Sequence, residues 1–246
     1  MSITASMRHF VVSGGGNGIG RALACDLLAR GDRVTTIHRN VASAEALRNI
    51  CGDNDRLRSL VADLRRSQEI AALADPLGSG PAIDGLVNTA GVWRDDHSAF
   101  RDVDLADTPP NQIEDVLGVG VQGAMLLTRT VLRLMRDGNA GKIVFVSCGF
   151  AGPHEARGWV HYFAANAAIE GLTRGLAAEC RKANIQVNCL APWFVRTEHV
   201  QRFFPEDAET ALPLDRVVLA LRFLLSKDTD DISGQVIDLR SHLDIA

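Results

Sequence analysis

Between Ser13 and Gly20 the chain reads Ser-Gly-Gly-Gly-Asn-Gly-Ile-Gly, placed between an apolar strand-like run and a helix-like one. That composition in that place is chemistry for a phosphate. Glycines permit a tight turn and let the backbone approach an anion closely, and the helix beyond adds unpaired N–H groups and the positive end of its dipole. Gly14, Asn17, Gly18 and Ile19 are therefore expected against the pyrophosphate of a dinucleotide. The next apolar run ends Ile37-His38-Arg39-Asn40. A site for an unphosphorylated ribose places a carboxylate there. Arg39, assisted by His38, instead suits a 2′-phosphate, which favours NADP(H), with NAD(H) as the alternative. A solvated surface arginine is the competing reading of Arg39. Further titratable groups, Asp95, Asp96, His97, His154 and Arg157, lie in loops expected to face a ligand, where a histidine could donate or relay a proton. Each could equally be an ordinary solvated loop residue.

The elements that must position these residues alternate from end to end. Strand candidates are His9–Ser13, Arg33–Ile37, Leu57–Ala62, Ala82–Asn88, Lys142–Ser147, Gln186–Leu190 and Gln235–Leu239. Most are continuous apolar runs, as in strands covered on both faces of a parallel sheet. Helical patterns fill the intervals: Gly18–Arg30, Ala42–Ile50, Ser67–Leu73, Asn111–Arg136, Tyr162–Lys182 and Leu214–Leu225. Such alternation predicts a doubly wound, mostly parallel α/β sheet of Rossmann type, in one domain spanning residues 1–246. The loops Trp93–Pro110, Gly149–Trp159 and Trp193–Pro213 follow the fourth, fifth and sixth strands and are expected at the carboxyl edge, where open α/β sheets bind ligands.

Bulk properties narrow the function classes. A net charge of −4 gives no reason to expect nucleic acid or a membrane surface. The five cysteines are odd in number and contain no CxxC pair, which disfavours a disulfide framework and a metal site alike. Reduced thiols in a cytoplasmic protein are the expectation. The start lacks the pattern of a signal peptide, and no apolar stretch approaches the roughly 20 residues of a membrane helix.

Several motifs, in order along the chain, resemble those of the short-chain dehydrogenases/reductases. Ser13-Gly14-x-x-x-Gly18-Ile19-Gly20 is similar to the family's TGxxxGIG turn, and Asn88-Thr89-Ala90-Gly91 to its NNAG. Val187-Asn188-Cys189-Leu190-Ala191-Pro192 resembles its VNxxxPG segment, and Ser233-Gly234-Gln235-Val236-Ile237 its last strand. The resemblance covers nearly the whole chain. It implies that Asp63, followed by Leu64, receives the adenine amino group, and that Asn88, Ala90 and Gly91 line the nucleotide. It further implies that Pro192, Val195 and Thr197 adjoin the nicotinamide, and that residues 193–213 form a lid. Taken singly, Asp63 could be a turn residue or cap, Asn88 a strand-end hydrogen bonder and Thr197 a cap.

The same resemblance implies catalysis by Asn, Ser, Tyr and Lys, and here the chain departs from the pattern. Tyr162 stands at the tyrosine position and also beside the cofactor. Four residues on, where the family has lysine, stands Asn166, able to bond a ribose hydroxyl but carrying no charge. Ile143–Cys148 resembles IVNISS with Cys148 in the place of the catalytic serine, although spacing back from Tyr162 selects Gly149. Ser147 is expected on the other face. Gly120 takes the place of the asparagine. Without a neighbouring cation a tyrosine near its reference value of about 10 is only about 0.1% ionised at pH 7. It is then a poor base for oxidising an alcohol, yet a neutral phenol still donates a proton to a developing alkoxide.

The leading expectation is thus an NADP(H)-dependent oxidoreductase that reduces a ketone with a non-standard site. Trp193, Phe194, His199, Phe203 and Phe204 in the lid segment point to an aromatic or apolar small-molecule carbonyl substrate, with ordinary packing of a lid helix as the competing reading. The alternatives are a non-catalytic cofactor-binding homologue, acting as a regulatory or inactive subunit, and a cyclase, isomerase or lyase using the same cleft. Relatives associate through the helices matching Asn111–Arg136 and Tyr162–Lys182, which implies a homo-oligomer, or a hetero-oligomer. The end Asp238-Leu239-Arg240-Ser241-His242 lacks the double glycine common in relatives.

Overall fold

The computed structural model describes residues 7–101, 103–135, 140–149 and 158–240. His154, Arg157, Ser241 and His242 lie outside them. Among the described residues seven strands are formed: β1 (His9–Ser13), β2 (Arg33–His38), β3 (Leu57–Val61), β4 (Gly85–Asn88), β5 (Gly141–Val146), β6 (Ile185–Pro192) and β7 (Val236–Leu239). They make one parallel sheet in the order β3-β2-β1-β4-β5-β6-β7. β1, β4 and β6 are buried at every residue, as their unbroken apolar runs require of strands covered on both faces. The edge strands β3 and β7 have no fully buried residue.

Strand alternation sends neighbours into two separate cores. On one face Phe10, Val12, Val87, Val144 and Leu190 pack under α1 (Gly18–Ala29), α2 (Val41–Cys51) and, later in the chain, the helix Leu214–Leu224. On the other, Val11, Leu86, Ile143 and Phe145 are covered by α3 (Ser67–Ala72), α4 (Ala74–Gly78), the helix Ala124–Met135 and α7 (Val160–Cys180). α5 (Pro110–Leu117) and α6 (Ala124–Met135) are joined by a π-helical turn, Gly118–Gly123. Gly123 presses on the Leu64 carbonyl, where a Cβ would lie 2.6 Å from the oxygen, so the helix can approach the turn after β3 only with glycine there. Pro110–Met135 is, by length and composition, apolar enough to cross a membrane, contrary to the expectation that no stretch comes near. Its Leu127, Val131 and Met135 are buried in the core while Arg129 and Arg133 are exposed, so its apolar face is spent on the sheet.

Two short helices escaped the periodicity. α4 is five residues long and includes Pro76, and α8 (Glu198–Phe203) is six, too short for a 3.6-residue pattern to register. α9 (Leu214–Leu224) is the last α-helix among the described residues. From β1 the chain builds outward to β3, then returns to place β4 on the other side of β1. Ser13 and Asn88 therefore end side by side at the switch point, the carboxyl-edge crevice where ligands of such sheets bind.

Candidate active site

The crevice opens on a turn that leaves no room for side chains. Gly14 and Gly18 have φ of +73° and +49°, which favour glycine. A Cβ on Gly16 would collide with the Ser43 hydroxyl, and one on Gly20 with the Gly14 carbonyl and, at 2.5 Å, the Thr89 hydroxyl. β1 and β4 are laced together beneath the turn: Thr89 Oγ1 donates to the Ser13 carbonyl at 2.6 Å, and Ser13 Oγ to Asn88 Oδ1 at 3.3 Å. Asn88 Nδ2 in turn donates to Thr128 on α6 at 3.1 Å. Asn17, at the N-cap of α1, makes no capping bond and is exposed, as is Gly91; Ile19 and Ala90 are half-buried beside them.

An anion already sits against this turn. Glu198 Oε1 accepts from the Gly18 N–H at 3.1 Å and pairs with Arg21 at 3.2 Å. The amino end of α1 thus presents its N–H groups and a cation to negative charge, as a pyrophosphate requires. Together with the bare glycine floor, this arrangement fits a dinucleotide.

The two residues at the end of β2 part company. Arg39 is exposed. His38 is only 2% exposed, and its ring nitrogens meet the Thr36 hydroxyl at 2.7 Å and the Ser43 hydroxyl at 3.0 Å. Burial pushes its pKa down to about 4, so it is neutral at pH 7. Its imidazole lies under Gly15 and Gly16 and supports the turn instead of reaching out to a phosphate.

Asp63 is buried and tied to Arg65, which donates from Nη2 to Oδ2 at 2.6 Å and from Nε to Oδ1 at 3.0 Å. Those bonds hold its carboxyl below the usual range. Arg65 also reaches Asp115 at 2.7 Å, so the turn after β3 is bolted to α5. Leu64 points into the core.

Pro192 is paired with Leu239 at the end of β6, and Val195 is buried and bridged to Leu212. Thr197 caps α8, its hydroxyl accepting from the Val200 N–H at 3.3 Å, and its methyl would be 3.4 Å from a Cβ on Gly18. The segment 193–213 is folded down on an aromatic cluster. Trp93 meets Phe203 and Phe204 at 6.0 and 5.8 Å between ring centres, and Trp159 bridges Phe204 to Tyr162 at 6.4 and 5.4 Å. Arg94 donates to His199 at 2.7 Å and lies over Phe203, pinning α8 to the loop after β4. Asp238 accepts from Trp193 Nε1 at 2.7 Å while Arg240 stacks on the same ring at 4.4 Å, which gives the non-glycine end of β7 its use.

Tyr162 stands in the first turn of α7 with its phenol beside Cys148. Burial, and then the neighbouring Cys148, hold the phenol well above its ordinary value. Gly149, the other residue that spacing could select, is closed off: a Cβ there would lie 2.6 Å from the Ala191 carbonyl, Asp238 and Trp193. The side chain from the end of β5 that adjoins Tyr162 is therefore Cys148. Ser147 is buried against the same helix, its hydroxyl near Glu170, two turns along α7 from Tyr162, and near Cys189. Asn166 donates from Nδ2 to the Tyr162 carbonyl at 2.8 Å and also bears on the phenol, favouring its ionised form. Gly120, in the π-turn, faces the Ala165 methyl at a Cβ distance of 3.7 Å. Asp95, Asp96 and His97 are exposed, and Asp95 folds back on the N–H groups of His97 and Ser98 at 2.7 Å each. Among the described residues no group of three or more His, Cys, Asp or Glu side chains could hold a metal.

The short chain dehydrogenase family profile matches residues 8–208. Over 238 residues the chain is 31% identical to carbonyl reductase family member 4 of Danio rerio, covering 94% of this chain and 95% of that one. A putative short chain dehydrogenase from Shigella flexneri, solved complexed with NADP, superposes with a TM-score of 0.82 at 25% identity, over 94% of this chain and 96% of that one. A 3-ketoacyl-(acyl-carrier-protein) reductase from Brucella melitensis, complexed with NADH, gives 0.84 at 24% identity over 97% and 98%.

Proposed function

The chain belongs to the short-chain dehydrogenase family, and from that premise we propose that it is an NADPH-dependent reductase of a small carbonyl compound. Tyr162 serves as a neutral proton donor. The observation that carries this reading is the half-buried phenol beside Cys148, whose pKa desolvation holds well above its ordinary value. A group so placed keeps its proton at neutral pH, which suits it to protonate an alkoxide and ill suits it to deprotonate an alcohol.

When bound, NADPH supplies the hydride. The remaining work falls to the chain. Gly14, Asn17, Gly18, Ile19, Ala90 and Gly91 line the dinucleotide, with Asn88 and Asp63 holding the walls. Arg39 pairs with the 2′-phosphate, and no acid at the end of β2 repels it. Asn166 and Tyr162 orient the nicotinamide ribose, and Pro192, Val195 and Thr197 border the nicotinamide. Tyr162 then gives its proton to the carbonyl oxygen, with Cys148 as the polarisable neighbour of the phenol. Trp93, Trp159 and Phe204 exclude water above it and favour an aromatic or apolar substrate. The protein assembles as an oligomer through the long helices, where Leu117, Met125 and Val160 are exposed.

The alternative is a non-catalytic reading. Asp63, Asn88 and Thr197 each satisfy a structural bond, so they serve the fold even without turnover. Tyr162→Phe separates the two. On the reductase reading the variant still binds NADPH but loses on the order of 10²–10⁴-fold in carbonyl reduction at saturating cofactor. Deuterated NADPH incubated with extract of the producing cell should label a metabolite with the parent protein and not with the variant. Equal labelling by both, or no labelling by a parent that binds the cofactor, removes the proposal.

A further inference from the structure

Two of the five cysteines face one another away from the crevice. Cys25, in α1, and Cys51, the last residue of α2, bring their sulfurs to 3.2 Å. Both are half-buried at the margin of the core formed by Leu23, Leu27 and Leu47, so the packing of the two helices holds the pair together while leaving a path to small solutes. The other three differ. Cys148 adjoins Tyr162, and Cys180 and Cys189 are fully buried in the opposite core. Gly52 follows Cys51 with φ +68° and open space where its Cβ would be, so the end of α2 can give slightly.

We infer that Cys25 and Cys51 form a reversible intramolecular disulfide when the protein meets a peroxide or a disulfide oxidant. A disulfide bond is about 2.0 Å long, so the sulfurs need to close by little more than 1 Å, within reach of a side-chain rotation. Burial, and then Cys25 itself, push the Cys51 thiol up to about 12, and either sulfur can donate its proton to the other across the 3.2 Å contact. With hydrogen peroxide the Cys25 sulfur attacks one oxygen, the O–O bond breaks, water leaves and a sulfenic acid forms. The Cys51 sulfur then attacks the Cys25 sulfur. The S–O bond breaks, and hydroxide departs as water with the Cys51 proton. Two thiols have lost two electrons and peroxide has become two waters.

The bond closes a loop between residues 26 apart that contains all of β2, Arg39 and the Asn40–Ser43 cap. It therefore clamps the half of the sheet that underlies the adenosine side of the crevice. Loop closure of that length is expected to raise the melting temperature by roughly 5–10 °C.

The test is brief exposure of the purified full chain to a slight excess of hydrogen peroxide, followed by thiol titration in denaturant and peptide mapping without reductant. The expected result is loss of two hydrogens in mass, a fall from five titratable thiols to three, a Cys25–Cys51 crosslinked peptide, and full reversal by dithiothreitol with the melting temperature returning. Cys25→Ser and Cys51→Ser should each abolish both the crosslink and the thermal shift. Because mapping is done on the parent chain, a variant that folds poorly leaves the result intact. Five surviving thiols, a crosslink at any other pair, or Cys25 oxidised to sulfinic acid without a link would each overturn the inference.

Discussion

The glycine turn and the corner around Tyr162 are neighbours in one crevice, yet they are built to opposite standards. Under the turn every polar group is matched: Ser13 to Asn88, Asn88 to Thr128, Thr89 to Ser13, His38 to Thr36 and Ser43. Side chains are excluded wherever the backbone must lie close. Around Tyr162 the side chains are small or neutral, with Gly120, Cys148 and Asn166 where the family resemblance implies asparagine, serine and lysine. Holding a cofactor depends on backbone shape, which tolerates no substitution. Proton transfer depends on the charge near one phenol, which a single residue can reset. The two demands separate because one is steric and the other electrostatic.

The steric half is the easier to break. Gly20→Ala sets a Cβ against the Gly14 carbonyl and the Thr89 hydroxyl, and is expected to cost about 3 kcal/mol of stability or more, together with NADPH binding. Urea denaturation and NADPH fluorescence measure both; a variant as stable as the parent would show that the turn has slack.

His38 makes the same region sensitive to acid. Its folded pKa of about 4 lies below the ordinary 6.5, so the unfolded chain takes up a proton first as pH falls. The stabilisation is complete above pH 6.5 and is lost between there and about pH 4, on the order of 3 kcal/mol at most. His9 and His161 are also lowered by burial and act in the same direction. The measurement is therefore the difference in pH slope between the parent and His38→Asn, and parallel slopes would contradict it.

Arg39→Gln tests the ribose end. A charge-assisted bond is worth roughly 1.5–3 kcal/mol, so NADPH is expected to bind about 10–100-fold more weakly while NADH is unaffected. An equal loss for both cofactors would place Arg39 elsewhere.

The smallest change sharpens the electrostatic half. Asn166→Lys returns a cation one turn from Tyr162 and is expected to lower the phenol pKa by about one unit or more, roughly tenfold in phenolate. The pH profile of alcohol oxidation with NADP+ should shift to lower pH by that amount. An unmoved profile would mean that the lysine cannot reach the phenol.

Much of this was legible in the sequence because it is local. Continuous apolar runs, the glycine turn and the 3.6-residue pattern each report on a few consecutive residues, and every proposed strand and long helix forms within a few residues of its expected ends. What needed three dimensions was the direction of single side chains. His38 and Arg39 are adjacent and both cationic by type, yet β2 turns one inward under the glycines and the other out to solvent. The motif selected Cys148 and spacing back from Tyr162 selected Gly149, and it is tertiary packing that sets Cys148 beside the phenol and Gly149 against Ala191, Trp193 and Asp238, far off in sequence. The hold of Glu198 on the glycine turn, 180 residues away, has no local signature at all. Composition and periodicity determined that this chain folds as a parallel α/β sheet, since burying apolar faces at periods of 2 and 3.6 admits few other solutions. Which groups meet at the crevice was decided by contacts between segments far apart in the chain, where displacement by one residue reverses the direction a side chain faces.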